Sequence, residues 1–149
     1  EALADPYNRY LTLARDLFAV DGLGGMISDS HFVTRDRMGR TLAFLARIAA
    51  IGWDAAPRAI AVDEETAVLV DRGSASLVGD GAAYFLQAPG PAETCQARTP
   101  LTYRDVAVYR IVSGGTFNFY RWSGSGGDEY RVTATAGVLS STQAGGGIY

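Results

Sequence analysis

Residues 26–51 read MISDSHFVTRDRMGRTLAFLARIAAI, and they carry the strongest structural signals in the chain. The first four residues predict a short strand. Between residues 37 and 51, apolar residues recur at steps of four, three and four, which predicts one apolar stripe along a helix. A strand that leads through a polar turn into a helix is typical of α/β proteins, whose sites lie at the carboxyl ends of strands. The stretch therefore predicts an α/β fold with its polar cluster at residues 29–40.

The stripe of this helix consists of Met38, Leu42, Leu45 and Ala49, and Gly52 is a typical stop. Further downstream, β-branched runs predict short strands at residues 58–62, 66–70, 76–78 and 83–86. The first two of these strands are close enough for a tight hairpin. Upstream, Asp5-Pro6 is a typical helix start, residues 10–20 fit either a strand or a helix, and residues 21–25 predict a turn.

The last third of the chain is rich in aromatic residues and glycine and has no helical periodicity. Residues 106–112 and 116–122 alternate as strands do, around Ser113-Gly114-Gly115 as the predicted turn. The segment 88–92 reads APGPA and predicts a linker. We therefore expect two units: residues 1–88 as an α/β unit, and residues 89–149 as a β-rich extension.

Composition excludes several classes of protein. The chain has 149 residues, 48% of them hydrophobic and 19% charged, which excludes disorder and allows a core. All 13 basic residues are arginine, and a net charge of -3 gives no basic surface for nucleic acid. No apolar run approaches the roughly 20 residues that span a bilayer. The single histidine excludes a polyhistidine metal site. We expect no metal and no cofactor.

The densest polar cluster, residues 29–40, includes Arg35, Arg37 and Arg40 around the predicted helix start. Guanidinium groups bind carboxylates with two parallel hydrogen bonds, which suggests a pocket for a carboxylate-bearing ligand. The alternative is that these arginines are solvated on the helix surface and pair with Asp29, Asp36 and other acids.

His31 is the only histidine available as a general base, and a base needs a nucleophile to activate. The chain has no Gly-x-Ser-x-Gly elbow. Cys95 follows the linker with no helix signal behind it, so nothing evident stabilises its thiolate. The chain therefore holds a candidate base without a convincing nucleophile.

Two motifs of the chain resemble those of one enzyme family. The segment DSHF at residues 29–32, followed by Arg35-x-Arg37-x-Gly39-Arg40, resembles the catalytic-histidine motif of the cyanophycinase and isoaspartyl dipeptidase family of serine peptidases. Residues 60–70, IAVDEETAVLV, resemble that family's second motif, in which a strand runs into an Asp-Glu-x-Thr-Ala turn. The resemblance covers residues near 10 to 87, and the tail resembles extensions of secreted cyanophycinase-like proteins less distinctively.

The resemblance implies a role for each matching residue. His31 would be the base that activates a serine, and Glu64 is one candidate for the acid of the triad, with Glu1 and Asp5 as the others. Asp29 would support the histidine or the pocket. Ser30 stands where cyanophycinases commonly have glutamine, which affects the substrate. The substrate pocket would be lined by Arg35, Arg37, Arg40 and Thr66.

The resemblance also implies the rest of the enzyme. The fold would be the C-terminal half of a three-layer class I glutamine amidotransferase-like fold, followed by the β-rich extension. The nucleophilic serine would lie on an N-terminal segment of the same precursor, which is the expected partner, and Cys95 would pair with a cysteine there. The activity would be hydrolysis of aspartyl-linked peptides such as cyanophycin or β-aspartyl peptides, in a secreted, periplasmic or extracellular bacterial protein, with a homodimer as an open alternative.

A different class of function remains open. The chain would then be a catalytically inactive homologue that binds acidic peptides or a cell-surface polymer. Seven aromatic residues between positions 103 and 130 would form an exposed face for such a polymer, or they would be the core of a small sheet. These residues are Tyr103, Tyr109, Phe117, Phe119, Tyr120, Trp122 and Tyr130.

Overall fold

A computed structural model describes residues 1–15 and 23–149. These residues form a mixed α/β structure with one curled sheet and few helices, which confirms the expected α/β class. Eight strands and one α-helix follow one another in this described part of the chain, and a short 3-10 turn at Ala144–Gly146 follows the last strand. The elements are β1 Met26–Asp29, α1 Met38–Ala50, β2 Arg58–Val62, β3 Thr66–Asp71, β4 Ser74–Gly79, β5 Ala83–Gln87, β6 Tyr103–Asn118, β7 Ser123–Thr135 and β8 Val138–Ser141.

The segment that opened the sequence analysis forms a β1–α1–β2 unit. β1 and β2 are parallel, with Met26 opposite Arg58 and Asp29 opposite Ala61. The four residues of the apolar stripe are buried on α1, and Gly52 ends the helix with a φ of 74°, as predicted. Because the two strands are parallel neighbours, the residues that follow each of them lie at the same edge of the sheet.

The predicted hairpin between β2 and β3 is wrong. β2 pairs with β1 on one side and with β5 on the other, whereas β3 pairs with β4. The β3–β4 turn consists of Arg72 and Gly73, both with positive φ, as tight hairpin turns require. β2 buries Ala59 and Ala61 completely and needs a neighbouring strand along each edge. β3 is more exposed and can therefore lie at the edge of the sheet.

The predicted turn at Ser113-Gly114-Gly115 is also wrong. β6 continues through it, with a register shift against β7 between Ile111 and Thr116. Gly114 has a φ of 88°, which fits a glycine at a bulge. The chain reverses at residues 119–122 instead, and β7 then returns along β6.

β6 is the strand that joins the sheet together. The order is β1-β2-β5-β6-β4-β3, and β7 pairs with both β6 and β8. Residues 107–111 of β6 pair with β5, and residues 116–118 pair with β4. One sheet therefore contains strands from both sides of the linker at residues 88–92.

The predicted helix start near the N-terminus is wrong. Asp5-Pro6 lies in a series of turns and not in a helix, and the Asp5 carboxylate accepts a hydrogen bond from the Tyr7 amide at 2.9 Å. Residues 10–15 have no regular structure, and the rest of the ambiguous 10–20 stretch lies outside the described residues. Gly24 and Gly25 form a turn as predicted, while residues 21 and 22 lie outside the described part.

The two faces of the sheet bury separate apolar clusters. α1 packs on one face, over residues that include Ala61, Tyr84 and Val108. The other cluster includes Phe85 and Phe117, whose rings stack at 3.9 Å. Most of the tail aromatics are core: Tyr103, Phe117, Phe119 and Tyr130 are buried, Tyr109 and Trp122 are half-buried, and Tyr120 is 80% exposed.

Candidate active site

His31 lies in the turn that follows β1. Its φ is 50°, in the left-handed region, and its carbonyl accepts a hydrogen bond from the Arg35 amide at 3.1 Å. The next residue, Phe32, is fully buried, and its amide donates to the Val62 carbonyl at 3.1 Å. The histidine backbone is therefore anchored to the end of β2 while its side chain stays 44% exposed.

Glu64 lies two residues beyond the end of β2 and meets His31. The distance between His31 Nδ1 and Glu64 Oε1 is 2.7 Å, and both side chains are nearly half exposed. The pairing follows from the parallel arrangement of β1 and β2, which brings the two carboxyl ends together. A carboxylate oxygen only accepts a hydrogen bond, so the pair requires a proton on Nδ1, and in the neutral imidazole this leaves Nε2 as an acceptor.

Thr66 supports the Glu64 side of this pair. Its Oγ1 donates to the Glu64 carbonyl at 2.8 Å and accepts from the Gly81 amide at 3.0 Å. The hydroxyl therefore ties the turn between β2 and β3 to the turn before β5. Of the predicted site residues, the structure brings His31, Glu64 and Thr66 into one region.

Asp29, at the end of β1, binds two of the predicted arginines, Arg37 and Arg40. Its side chain is only 5% exposed and receives Arg37 Nη1 at 3.2 Å and Arg40 Nε at 2.9 Å. Thr41 Oγ1 and the Ser30 amide also donate to it, at 3.0 and 2.8 Å. The hydrogen bond to Asp29 is the main cause that raises the pKa of Arg40 above its ordinary value.

Arg37 and Arg40 thus pair with Asp29, as the alternative interpretation of the sequence anticipated, but the Arg37 side chain is only 15% exposed and not solvated as that interpretation expected. Arg37 also donates to the Ser30 carbonyl, and Ser30 itself is exposed. Arg35 is exposed on the same turn, directly before the residues that lead into α1. The structure separates the predicted pocket into an Asp29 cluster and an outer guanidinium group at Arg35.

The other candidate acids and the thiol have different surroundings. Glu1 is exposed, and the Asp5 carboxylate accepts the Tyr7 and Arg98 amides. Cys95 is a free, half-buried thiol, and burial is the main cause that raises its pKa. A raised pKa disfavours the thiolate, in agreement with the sequence-based view that Cys95 is a poor nucleophile.

Two residues of this region make contacts that the sequence does not predict, although Asp63 belongs to the quoted Asp-Glu-x-Thr-Ala motif. Asp63 accepts backbone hydrogen bonds from Val33 at 3.2 Å and from Ala82 at 3.0 Å. The Tyr149 hydroxyl donates to Asp36 at 2.7 Å and accepts from the Met38 amide at 3.0 Å, at the start of α1. Both are contacts between segments far apart in sequence, so no local pattern announces them.

A cavity of about 200 Å³ lies beside the Phe85–Phe117 stack, in the β-rich part of the sheet. Its polar lining includes Gln87, Ser123 and Glu129. The Arg58 guanidinium lies 4.5 Å from the ring centre of Trp122, which also lines the cavity. Charged, amide and hydroxyl groups therefore stand next to aromatic rings there.

Within residues 1–15 and 23–149, no group of three or more His, Cys, Asp or Glu side chains is arranged to hold a metal ion. The helices of the described part are all too short or too polar to cross a membrane. No protein-family model matches the chain, and no curated protein matches it.

Proposed function

We propose that this chain carries the histidine and the acid of a serine-type hydrolase that cleaves aspartyl-linked peptides. The observation that carries the proposal is the 2.7 Å contact between His31 Nδ1 and Glu64 Oε1. An acid on Nδ1 fixes the tautomer and orientation of an imidazole and stabilises the imidazolium that forms during acyl transfer. Both side chains are accessible, so His31 Nε2 can reach a hydroxyl brought by another segment.

The proposed reaction needs a serine, which we assign to an N-terminal segment of the same precursor. His31 Nε2 takes the proton from the serine Oγ as Oγ forms a bond with the amide carbonyl carbon. The same proton then goes to the leaving amine as the carbon–nitrogen bond breaks. Water, deprotonated by His31 in turn, releases the acid product and restores the serine.

The arginines support a substrate that carries a carboxylate. Arg35 is exposed on the His31 turn, and a guanidinium there can bind a free carboxylate with paired hydrogen bonds. Arg37 and Arg40 already share Asp29, so they add positive charge behind the turn. An aspartyl peptide joined through its side chain has a free α-carboxylate of the required kind.

The test labels the nucleophile. The chain is expressed together with the sequence encoded upstream of Glu1 and is treated with a fluorophosphonate, which reacts covalently with an activated serine. Labelling should fall about 10⁴-fold in His31→Ala and by orders of magnitude in Glu64→Gln, because both remove triad functions. Hydrolysis of β-aspartyl dipeptides should fall in parallel.

Glu65→Gln is the matched control, because Glu65 is the neighbouring exposed acid and its loss should leave labelling unchanged. Undiminished labelling and hydrolysis in folded His31→Ala would overturn the proposal. Labelling of the 149-residue chain alone would overturn the assignment of the serine to another segment.

A second candidate function rests on the cavity beside Phe85 and Phe117. Aromatic rings next to an amide, a hydroxyl and a carboxylate suit a polar polymer with apolar ring faces, such as a glycan. Binding of soluble glycans, followed by the fluorescence of Trp122, should be lost in Gln87→Ala if this is the function. Activity without any glycan binding would leave the hydrolase as the better assignment.

A further inference from the structure

Asp63 connects three segments around the candidate site. It follows β2 directly, and its own amide donates to the Ala82 carbonyl at 3.0 Å. Its Oδ2 accepts the Ala82 amide at 3.0 Å, and its Oδ1 accepts the Val33 amide at 3.2 Å. One carboxylate therefore fixes the end of β2 to the start of β5 and to the turn that carries His31.

This carboxylate lies next to both partners of the candidate pair. Glu64 is its immediate neighbour in the chain, and Val33 is two residues from His31. The His31 and Glu64 side chains are 44% and 45% exposed, so side-chain packing alone leaves them much freedom. Their separation must then depend largely on how firmly the two backbone turns are joined.

The surroundings of Asp63 leave little room for it to move. A Cβ atom added at Gly81 would lie 2.6 Å from Asp63 Cβ and 2.6 Å from Thr66 Oγ1. Thr66 itself donates to the Glu64 carbonyl. The turn before β5 thus packs against Asp63, whose carboxylate accepts backbone hydrogen bonds from that turn and from the His31 turn.

We propose that Asp63 is a positioning residue for His31. By joining the turns, it keeps Glu64 on Nδ1, so the proton of the neutral imidazole sits on Nδ1 and Nε2 remains free to accept one. The catalytic meaning of this role rests on the proposed function, but the geometric claim stands without it.

The single histidine makes the claim directly measurable. Nitrogen-15 NMR of His31 in the 149-residue chain distinguishes the Nδ1–H from the Nε2–H tautomer of the neutral imidazole. The wild type should be mainly Nδ1–H. In Asp63→Ala the ratio of Nδ1–H to Nε2–H should fall by roughly tenfold or more, as expected when a charge-assisted hydrogen bond is lost. Glu64→Gln gives the ratio of Nδ1–H to Nε2–H that is expected when the Glu64 carboxylate is absent.

Controls separate positioning from stability. Asp54→Ala removes a carboxylate that accepts a hydrogen bond from the Ala56 amide at 2.9 Å and has no contact with the His31–Glu64 pair. This substitution should leave the His31 tautomer unchanged. Asp63→Asn keeps the size and one acceptor oxygen, so it should give an intermediate ratio and provides the answer if Asp63→Ala does not fold. A tautomer ratio in folded Asp63→Ala that equals the wild-type ratio would overturn the proposal, whatever the change in Tm. Where Asp63→Ala does not fold, a wild-type ratio in Asp63→Asn would overturn it.

Activity assays on the precursor distinguish this inference from the proposed function. Asp63→Asn should lower kcat with little change in KM, since Asp63 acts through the base and not on substrate. If the precursor hydrolyses nothing while the tautomer depends on Asp63, the proposed function fails and the positioning role stands.

Discussion

Asp29 holds two guanidinium groups and a hydroxyl while its own side chain is 5% exposed. Removing one partner of such a cluster leaves the remaining charges crowded and unpaired, which costs more than the net value of the contact. We expect Asp29→Ala to lower the free energy of unfolding by about 2–4 kcal/mol. Urea denaturation followed by circular dichroism measures the change.

Asp71→Ala is the matched control for this prediction. Asp71 also lies beside an arginine, but the Asp71 and Arg72 side chains are 89% and 92% exposed. Its loss should change the free energy of unfolding by less than about 0.5 kcal/mol. Equal effects of the two substitutions would mean that the Asp29 cluster contributes no special stability.

Gly79 ends β4 in a conformation that few other residues adopt. Its φ is 114°, and a Cβ atom there would lie 2.0 Å from the Glu65 carbonyl oxygen, which is backbone and cannot swing away. We expect Gly79→Ala to destabilise the protein by about 1–3 kcal/mol or more. Gly24→Ala, with nothing within 4 Å of the added Cβ, should change Tm little. A Tm in Gly79→Ala equal to that of Gly24→Ala would contradict this expectation.

At the scale of single residues, the sequence predicted site residues whose role depends on the chemistry of their own side chain. Glu64 was predicted as a candidate acid because it matches a motif, and the structure brings it to His31. Asp63 was not predicted, because its role lies in the two backbone amides it accepts. The pairing of Arg37 and Arg40 with Asp29 was one of two open alternatives, since spacing shows that groups share a face but not what lies opposite them.

At the scale of elements, α1 stabilises the sheet through its buried stripe. Leu42 is fully buried against the cluster that includes Ala61 and Tyr84. Truncating a buried leucine removes apolar contact and leaves a cavity, so Leu42→Ala should cost about 2–5 kcal/mol of unfolding free energy.

Ile51→Ala is the comparison for Leu42→Ala, because Ile51 follows the same helix and is 43% exposed. It should cost much less, because part of its surface already faces solvent. The two variants are compared by thermal denaturation. A larger loss at Ile51 would contradict the assignment of the buried face of α1.

The existence of most elements was predictable, but their neighbours in the sheet were not. Helical periodicity located α1, and β-branched runs located the strands within residues 58–87. The partner of β2 depends on burial along both of its edges, which no local pattern contains. The Gly114 bulge was mistaken for a turn because glycine relaxes the backbone in both settings.

At the scale of the whole molecule, buried and half-buried tyrosines link stability to alkaline pH. Burial is the main cause that raises the pKa of Tyr84, Tyr103, Tyr130 and Tyr149 above the ordinary value. Above about pH 10 the unfolded chain releases these protons while the folded chain keeps them, so stability falls as pH rises. The slope should approach about 1.4 kcal/mol per pH unit for each such tyrosine.

Urea denaturation at a series of alkaline pH values measures this slope, and the absorbance of tyrosinate reports the titration itself. Tyr149→Phe removes one of the titrating groups and should flatten the slope. Stability that stays constant as the pH rises well past 10 would contradict the prediction.

The course of β6 also bears on how the protein is made. β4 and β5 each need β6 as the partner along one edge, since residues 107–111 pair with β5 and residues 116–118 pair with β4. Synthesis from the amino terminus therefore leaves one edge of β5 unpaired until Ile111 has left the ribosome, and one edge of β4 unpaired until Asn118 has left it. During that interval the nascent chain exposes strand edges that can pair with other chains.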